Sequence, residues 1–367
     1  MSKKTIAIED EVEESLGSLS VSARRLRGGR RDGILLIELT AGPTHVWIVP
    51  DRGLGIWKIE SEGIELGWQS PIAGPVHPKF VPLAEPSGIG WLDGFDELLA
   101  RCGLQSNGAP DFDSQGKLLH GLHGRIANSP ACDVHVTLNE ETGTVTLTGV
   151  VHETRFLVHD LQMTTTLSLR ADRPHIAWTD TIQNRSDTPT SFQMLYHFNL
   201  GPTLLGAGGE IVANVDEIAP RDAVAASDIP SWHSYAAPQA GRAEQVHFMK
   251  LRTADDGRAA AMLIAPDKSK AARLSWRAAE LPYFTLWKNQ GGLADGYVTG
   301  LEPGTNYPNA RSFEESQQRI VPLSPHQSIT FDLCIDILTG NAIEREQQQL
   351  QGGPPVLHHE PKHGWSP

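Results

Sequence analysis

The stretch LQMTTTLSLR, Leu161 to Arg170, alternates without interruption. Leu161, Met163, Thr165, Leu167 and Leu169 fall on one side of an extended chain, and Gln162, Thr164, Thr166, Ser168 and Arg170 fall on the other. Successive side chains of a strand point to opposite faces, so this spacing predicts a strand with one buried face. Ile329, Phe331, Leu333, Ile335 and Ile337 repeat the pattern against Thr330, Asp332, Cys334 and Asp336. Between and before these, DVHVTLNEETGTVTLTGVVHET (133–154) reads as two strands around a Glu-Glu-Thr-Gly turn. RDGILLIELTAGPTHVWIVPDRG (31–53) reads as another pair around Gly-Pro.

Helical spacing is scarce: GFDELLARCG, near Phe95 to Arg101, and NAIEREQQQLQ (341–351) are the two stretches that carry it. No strand–helix alternation and no repeat of 20–50 residues is found. The 35 glycines and 25 prolines among 367 residues are then the turn-formers of many short strands. Length alone would allow two domains at about 150 residues each. The hairpin order and the lack of any composition break predict an all-β chain instead, one large antiparallel β-sandwich over 21–340 with a few short helices. Residues 1–20 are read as an acidic tail or edge, and 341–367 as a helix and a flexible tail. His358, His359 and His363 in that tail are read as adventitious.

Charge and composition exclude several classes. With 31 Lys and Arg against 44 Asp and Glu, the net charge of −13 repels polyanions and supplies no basic stripe, so no nucleic acid is expected as a partner. No apolar run approaches a membrane span and the start has no signal-peptide core, so no membrane is expected either. Three scattered cysteines, Cys102, Cys132 and Cys334, suit a reducing, cytoplasmic setting. GxSxG, P-loop and strand–GxGxxG–helix motifs are missing.

Polar residues interrupt the pattern in a few places. In SFQMLYHFNLG (191–201), Phe192, Met194, Tyr196 and Phe198 share one strand face, and Gln193, Leu195, His197 and Asn199 share the other. His197 therefore points away from the aromatic row, with Gln193 and Asn199 making its face polar. A lone strand histidine is more often a satisfied one. In DGYVTGLEPGTNYPNAR (295–311), Val298, Gly300 and Glu302 share a face, and Gly300 leaves room beside Glu302; a strand-end charge is the plainer reading. His120, His123 and Arg125 occur in a glycine-rich bend, KLLHGLHGRIANSP, whose His-x-x-His spacing is weak evidence for a metal outside a helix. Asp51 and Arg52 fit a salt-bridged turn. The Pro-rich loop 68–88 is long enough to wall a site.

Taken in order, Asp51-Arg52-Gly53, LLARCGL, HGLHGR, LYHFNLG, LPYFTLWK and LEPGTNYP, spanning Gly33 to Leu338, resemble the galactose mutarotase-like (aldose 1-epimerase-like) proteins, and within them a branch described as a domain of unknown function. The resemblance implies a β-supersandwich and an isomerase that interconverts sugar anomers. It also implies His197 as acid, Glu302 as base and His123 on the sugar hydroxyls. Looser matches put Arg52, His120, Arg125, Trp287, Lys288 and Asn306 among the substrate contacts. The hydroxyl-binding aspartate of the family has no counterpart between acid and base, where IPSWHSYAAPQ stands with Trp232 and His233. Arg101 occupies a position that is more often small and polar.

Acid–base ring opening calls for no metal and no other cofactor, because an imidazole and a carboxylate can exchange the two protons near neutral pH. Two alternatives stay open: a keto-sugar isomerase or lyase using a metal on His120, His123, His197 or Glu302, and a carbohydrate-binding protein without catalysis. A small carbohydrate is the expected partner, and a homodimer is left open.

Overall fold

The structure is a computed structural model in which residues 2–367 are described. Two large sheets face each other. One has nine strands, in the order Lys3–Ala7, Ala131–Asn139, Thr144–Arg155, His159–Arg170, Arg173–Asn184, Ser328–Thr339, Lys270–Arg277, Arg258–Ile264 and Glu210–Ala213, all antiparallel. The other has fourteen, and at its middle lie Leu99–Leu104, Thr190–Leu200, Val298–Gly304 and Tyr283–Asn289, side by side. This is an all-β sandwich.

The alternation in 161–169 and 329–337 is realised: the odd-numbered residues of 161–169 and of 331–337 are buried in the layer between the sheets. From the larger sheet Tyr196 and Phe198 enter that layer and meet Trp178, with ring centroids 6.5 and 5.2 Å apart. Both hairpins form, with strands Leu35–Ala41 and Thr44–Val49 in the first, and Ala131–Asn139 and Thr144–Arg155 in the second.

Where a helix is expected over Phe95 to Arg101, the chain instead makes a short 3-10 turn, Gly90–Gly94, and then the strand Leu99–Leu104. All six residues of that strand are buried and it pairs with 193–198. A central strand covered on both faces has no alternation to display, so its apolar run imitates a helix face. The second helix forms as Asn341–Leu350 and seats Ile343 and Leu350 on Met262, Ile264 and Ala271 of the nine-stranded sheet.

After this helix, Val356–Leu357 pairs in parallel with Val215–Pro220, and Trp365 is buried against Tyr307 with centroids 5.1 Å apart. His358 meets Glu217 at 3.1 Å. Backbone pairing and an aromatic anchor connect this segment to the sheet. At the other terminus, residues 3–7 and 12–16 lie at sheet edges.

Arg101 points into the layer between the sheets, not toward a cleft. Its guanidinium donates to Asp180 of the opposite sheet at 2.6 and 3.2 Å and to the Leu54 carbonyl at 2.8 Å, while Thr165 donates to the same carboxylate at 2.6 Å. Removing one member strands the other charge away from water. Asp180→Ala is expected to cost about 3–5 kcal/mol, and Arg101→Met with Asp180→Leu to recover much of it. Urea unfolding midpoints at unchanged m check this; an Asp180→Ala protein within about 1 kcal/mol of the parent contradicts it.

Candidate active site

Three adjacent strands bring the polar residues into line. The register that sets Asn199 opposite Gly300 and Leu195 opposite Gly304 places His197 across from Glu302, and Glu302 pairs in turn with Thr285. On its other side His197 pairs with Ala100, whose small side chain leaves the imidazole clear. His197 Nε2 lies 3.2 Å from Glu302 Oε1. Gly300 makes this approach possible: a Cβ there would sit 2.4 Å from Glu302 Oε1 and 3.1 Å from His197 Cε1.

These groups face a cavity of about 230 Å³ walled by Trp91, Phe95, Leu122 and Trp287. Phe95, Trp287 and His123 each meet the His197 ring near edge-on, at 5.1, 5.4 and 5.4 Å. At its rim Arg221 pairs with Glu244 at 3.0 Å, and Glu244 accepts from Trp287 Nε1 at 2.7 Å, which fixes the indole plane. His197 Nδ1, Glu302 Oε1 and Thr285 Oγ1 are buried and lack hydrogen-bond partners. Orphaned polar atoms are rare in a folded protein, and three converging on one cavity mark where a polar ligand would be held.

Burial sets the protonation. It pushes the Glu302 carboxyl well above the ordinary carboxylate range, with repulsion from Glu244 adding and Arg221 opposing. It drives His197 well below its ordinary value, and the neighbouring His123 adds to this. Burial thus favours the neutral forms of both groups, a protonated carboxyl and an unprotonated imidazole. His123 is lowered to about 4 by burial. Its Nδ1 lies 2.9 Å from the Asn107 carbonyl, which can only accept, so Nδ1 carries the proton and Nε2 is left as an acceptor.

The structure thus gathers His197, Glu302, His123 and Trp287 and distributes the other expected contacts elsewhere. His120 and Arg125 line a second cavity that shares Trp91 and Leu122 with the first. Arg52 is 1% exposed and bound to Glu97, to Asn128 at 2.5 Å and to the Gly94 carbonyl at 2.8 Å. It braces the turn that presents Trp91 and Phe95, and does not reach the cavity. Lys288 follows Trp287 and so points to the other sheet face, where it binds Asp228 at 2.5 Å and the Ser234 carbonyl at 2.9 Å. Asn306 exchanges two hydrogen bonds with Asn107, at 2.9 and 3.0 Å, and supports His123 from behind. His233 packs on Trp232, away from the pair.

Sequence reasoning missed Thr285, Arg221, Glu244, Trp91 and Phe95. Thr285 was recoverable, because it lies two residues before Trp287 on one strand face. Glu244 puts a carboxylate at the site between acid and base in chain order, in the stretch where no aspartate motif is found. Among the described residues, the group of three metal-capable side chains with mutually close donors is His175, Cys334 and Asp336, all on strands of the nine-stranded sheet, and not the alternative set drawn from His120, His123, His197 and Glu302.

The family model described as Domain of unknown function (DUF4432) matches residues 31–337. The chain belongs to this family. Its structure neighbours are galactose mutarotase-like. A protein of Klebsiella pneumoniae provisionally named an aldose 1-epimerase superposes with a TM-score of 0.93 at 28% identity, over 97% of this chain and 98% of that one. A galactose mutarotase-like protein of Clostridium acetobutylicum superposes with a TM-score of 0.61 at 16% identity, covering 89% and 100% of the two chains. The galactose 1-epimerase of Lactobacillus acidophilus gives 0.56 at 14% identity, over 88% and 100%, a likeness of fold. No curated protein matches by sequence. Among the described residues no helix is long and apolar enough to cross a membrane.

Beside Phe95, Asp96 is buried next to Glu97, and its pKa is raised to about 7 by burial first and by Glu97 second. The folded state keeps this proton up to about pH 7, whereas an unfolded aspartate releases it near 3.8. The folded state binds more protons in that window, so stability falls as pH rises through it. Between pH 4 and 7 the unfolding free energy of the wild type should drop relative to Asp96→Asn by a few kcal/mol, at roughly 1.4 kcal/mol for each pH unit crossed. Urea titrations of both proteins across that range check this, and parallel curves contradict it.

Proposed function

We propose that the protein is a carbohydrate isomerase of the aldose 1-epimerase type, with His197 and Glu302 as the acid–base pair. The observation that carries this is their 3.2 Å contact on the floor of a small aromatic-walled cavity. Aromatic faces suit the apolar side of a sugar ring, and the orphaned atoms suit its hydroxyls.

In the working step Glu302 takes the proton of the anomeric hydroxyl as the bond between the anomeric carbon and the ring oxygen breaks. His197 delivers a proton to that ring oxygen. The open aldehyde turns about its first carbon–carbon bond, and the reverse transfers close the ring on the other face. The step needs Glu302 ionised and His197 protonated, the reverse of what burial alone favours. Sugar hydroxyls entering the cavity supply the dipoles that a separated carboxylate and imidazolium require, and Arg221 at the rim favours the anion. His123, a neutral acceptor at Nε2, would take a hydrogen bond from a sugar hydroxyl.

Anomer exchange followed by saturation-transfer NMR over a panel of aldoses tests the proposal. Glu302→Gln and His197→Asn should each lower the rate about 10²–10⁴-fold. Gly300→Ala, which pushes the carboxylate aside, should cost about 10²-fold. A wild type that accelerates exchange of no sugar ends the proposal.

The pH dependence follows from the same pair. Loss of activity on the acid side requires a second proton on His197, which burial holds well below 6.5, and loss on the alkaline side requires removal of the shared proton, held by a carboxyl well above 4.5. The expected kcat/KM profile has its acid limb below pH 6.5. An acid limb at or above the value of a free histidine contradicts it.

A further inference from the structure

Next to the acid–base cavity lies a larger one of about 410 Å³, within the range of ligand pockets. Trp91 and Leu122 belong to the walls of both. Lys117, Arg125 and Arg155 line it, with His120, Gln105 and Ser106, and no carboxylate does. In a chain of net charge −13 this is a local reversal of sign. None of the three cations is in an ion pair, and none of their side chains makes a hydrogen bond, among the described residues.

Of the acids nearby, Glu315 acts on His120 from outside the lining, and Asp111 and Glu153 are hydrogen-bonded elsewhere. Asp111 accepts from the Ser312 amide and hydroxyl, both at 2.8 Å. Glu153 accepts from the amides of Leu104 and Gln105 at 3.0 and 2.9 Å and lies 3.8 Å from His159. Arg311 adds positive charge from behind, and is held by the Gln105 carbonyl and by Ser191 at 2.7 Å. Burial and Arg311 lower His120, so the cavity's charge comes from Lys117, Arg125 and Arg155.

A second, independent sign comes from Ser106. Its residue is 1% exposed, it lines this cavity, and its hydroxyl has no partner. A buried hydroxyl is costly to leave unsatisfied, and here it can donate to an acceptor that the protein does not supply.

We infer that this cavity is an oxyanion subsite, and that the substrate is a saccharide bearing a negatively charged group, which Arg125, Arg155, Lys117 and Ser106 bind while the reacting ring lies against His197 and Glu302. The substrate class rests on the epimerase reading above. Arginine forks match planar or tetrahedral oxyanions, and lysine adds a point charge. The reach is appropriate: Arg125 follows His123 by two residues, so their Cα atoms are at most about 7 Å apart. That is the scale of one sugar ring or of a charged arm attached to one.

Phosphate and carboxylate satisfy the same chemistry, and the test separates them. Binding is measured by titration calorimetry at low and high salt for an aldose, its uronic acid, its terminal phosphate ester and inorganic phosphate. At least one charged sugar should bind about tenfold or more tightly than its neutral parent, with an advantage that shrinks as salt rises. Arg125→Gln with Arg155→Gln, both exposed side chains, should erase most of that ratio at an unchanged melting temperature. Should that protein fail to fold, Lys117→Gln and the salt dependence of the wild type carry the test. Equal affinity for charged and neutral sugars, or a preference that survives the double substitution, overturns the subsite. Charge preference without anomer exchange supports the subsite and counts against the epimerase reading alone.

Discussion

The middle strands of the larger sheet are dry on both faces. One face meets the opposite sheet and must be apolar or fully paired, and the other floors the cavity. Thr190–Leu200 illustrates the constraint, with Phe192, Met194, Tyr196 and Phe198 committed to the inter-sheet layer and His197 to the cavity. A histidine and a glutamate held where neither can be hydrated lose the stabilisation that water gives their charged forms. Their altered proton affinities are therefore a consequence of where the strands lie, and need no special local device. Burial also explains why so many other charges in this region come as closed sets, such as Arg52 with Glu97 and Asn128, Arg101 with Asp180, and Lys288 with Asp228.

The alternation of Leu161–Leu169 was enough to give the fold class, because those strands have one buried face and a partly exposed one. Strand Leu99–Leu104 defeats the same method, since a segment buried on both sides carries no periodic contrast. His197 and Glu302 could be assigned to a face from their neighbours; what could not be read was that register across strands sets them opposite each other. Trp287 and Lys288 show a limit of motif matching. Adjacent strand residues cannot share a face, so only one of them could ever line the cavity. Arg221 and Glu244 flank strands that the alternation does not single out, and their meeting at the rim depends on chain closure over 23 residues.

Arg52 and Asn306 resemble substrate contacts in sequence because they are polar residues in site-forming motifs. Both act one layer back. Arg52 ties the turn before Phe95 to the body of the protein, and Asn306 fixes Asn107, whose carbonyl chooses the tautomer of His123. Such residues set the geometry that the cavity groups display, and a substitution in either would reach the site through displaced neighbours.

Sheets of this size end in strands with unsatisfied backbone groups. Lys3 and Lys4 stand on one outermost strand, and Glu13 and Glu14 on another, charges that discourage a foreign strand from adding there. The edge at Val215–Pro220 carries Asp216 and Glu217 and is also covered by Val356–Leu357, pinned downstream by Trp365. The short parallel ribbon thus works as a stopper against edge-to-edge aggregation, and detaching it would open a sticky seam on the sheet that carries the cavity.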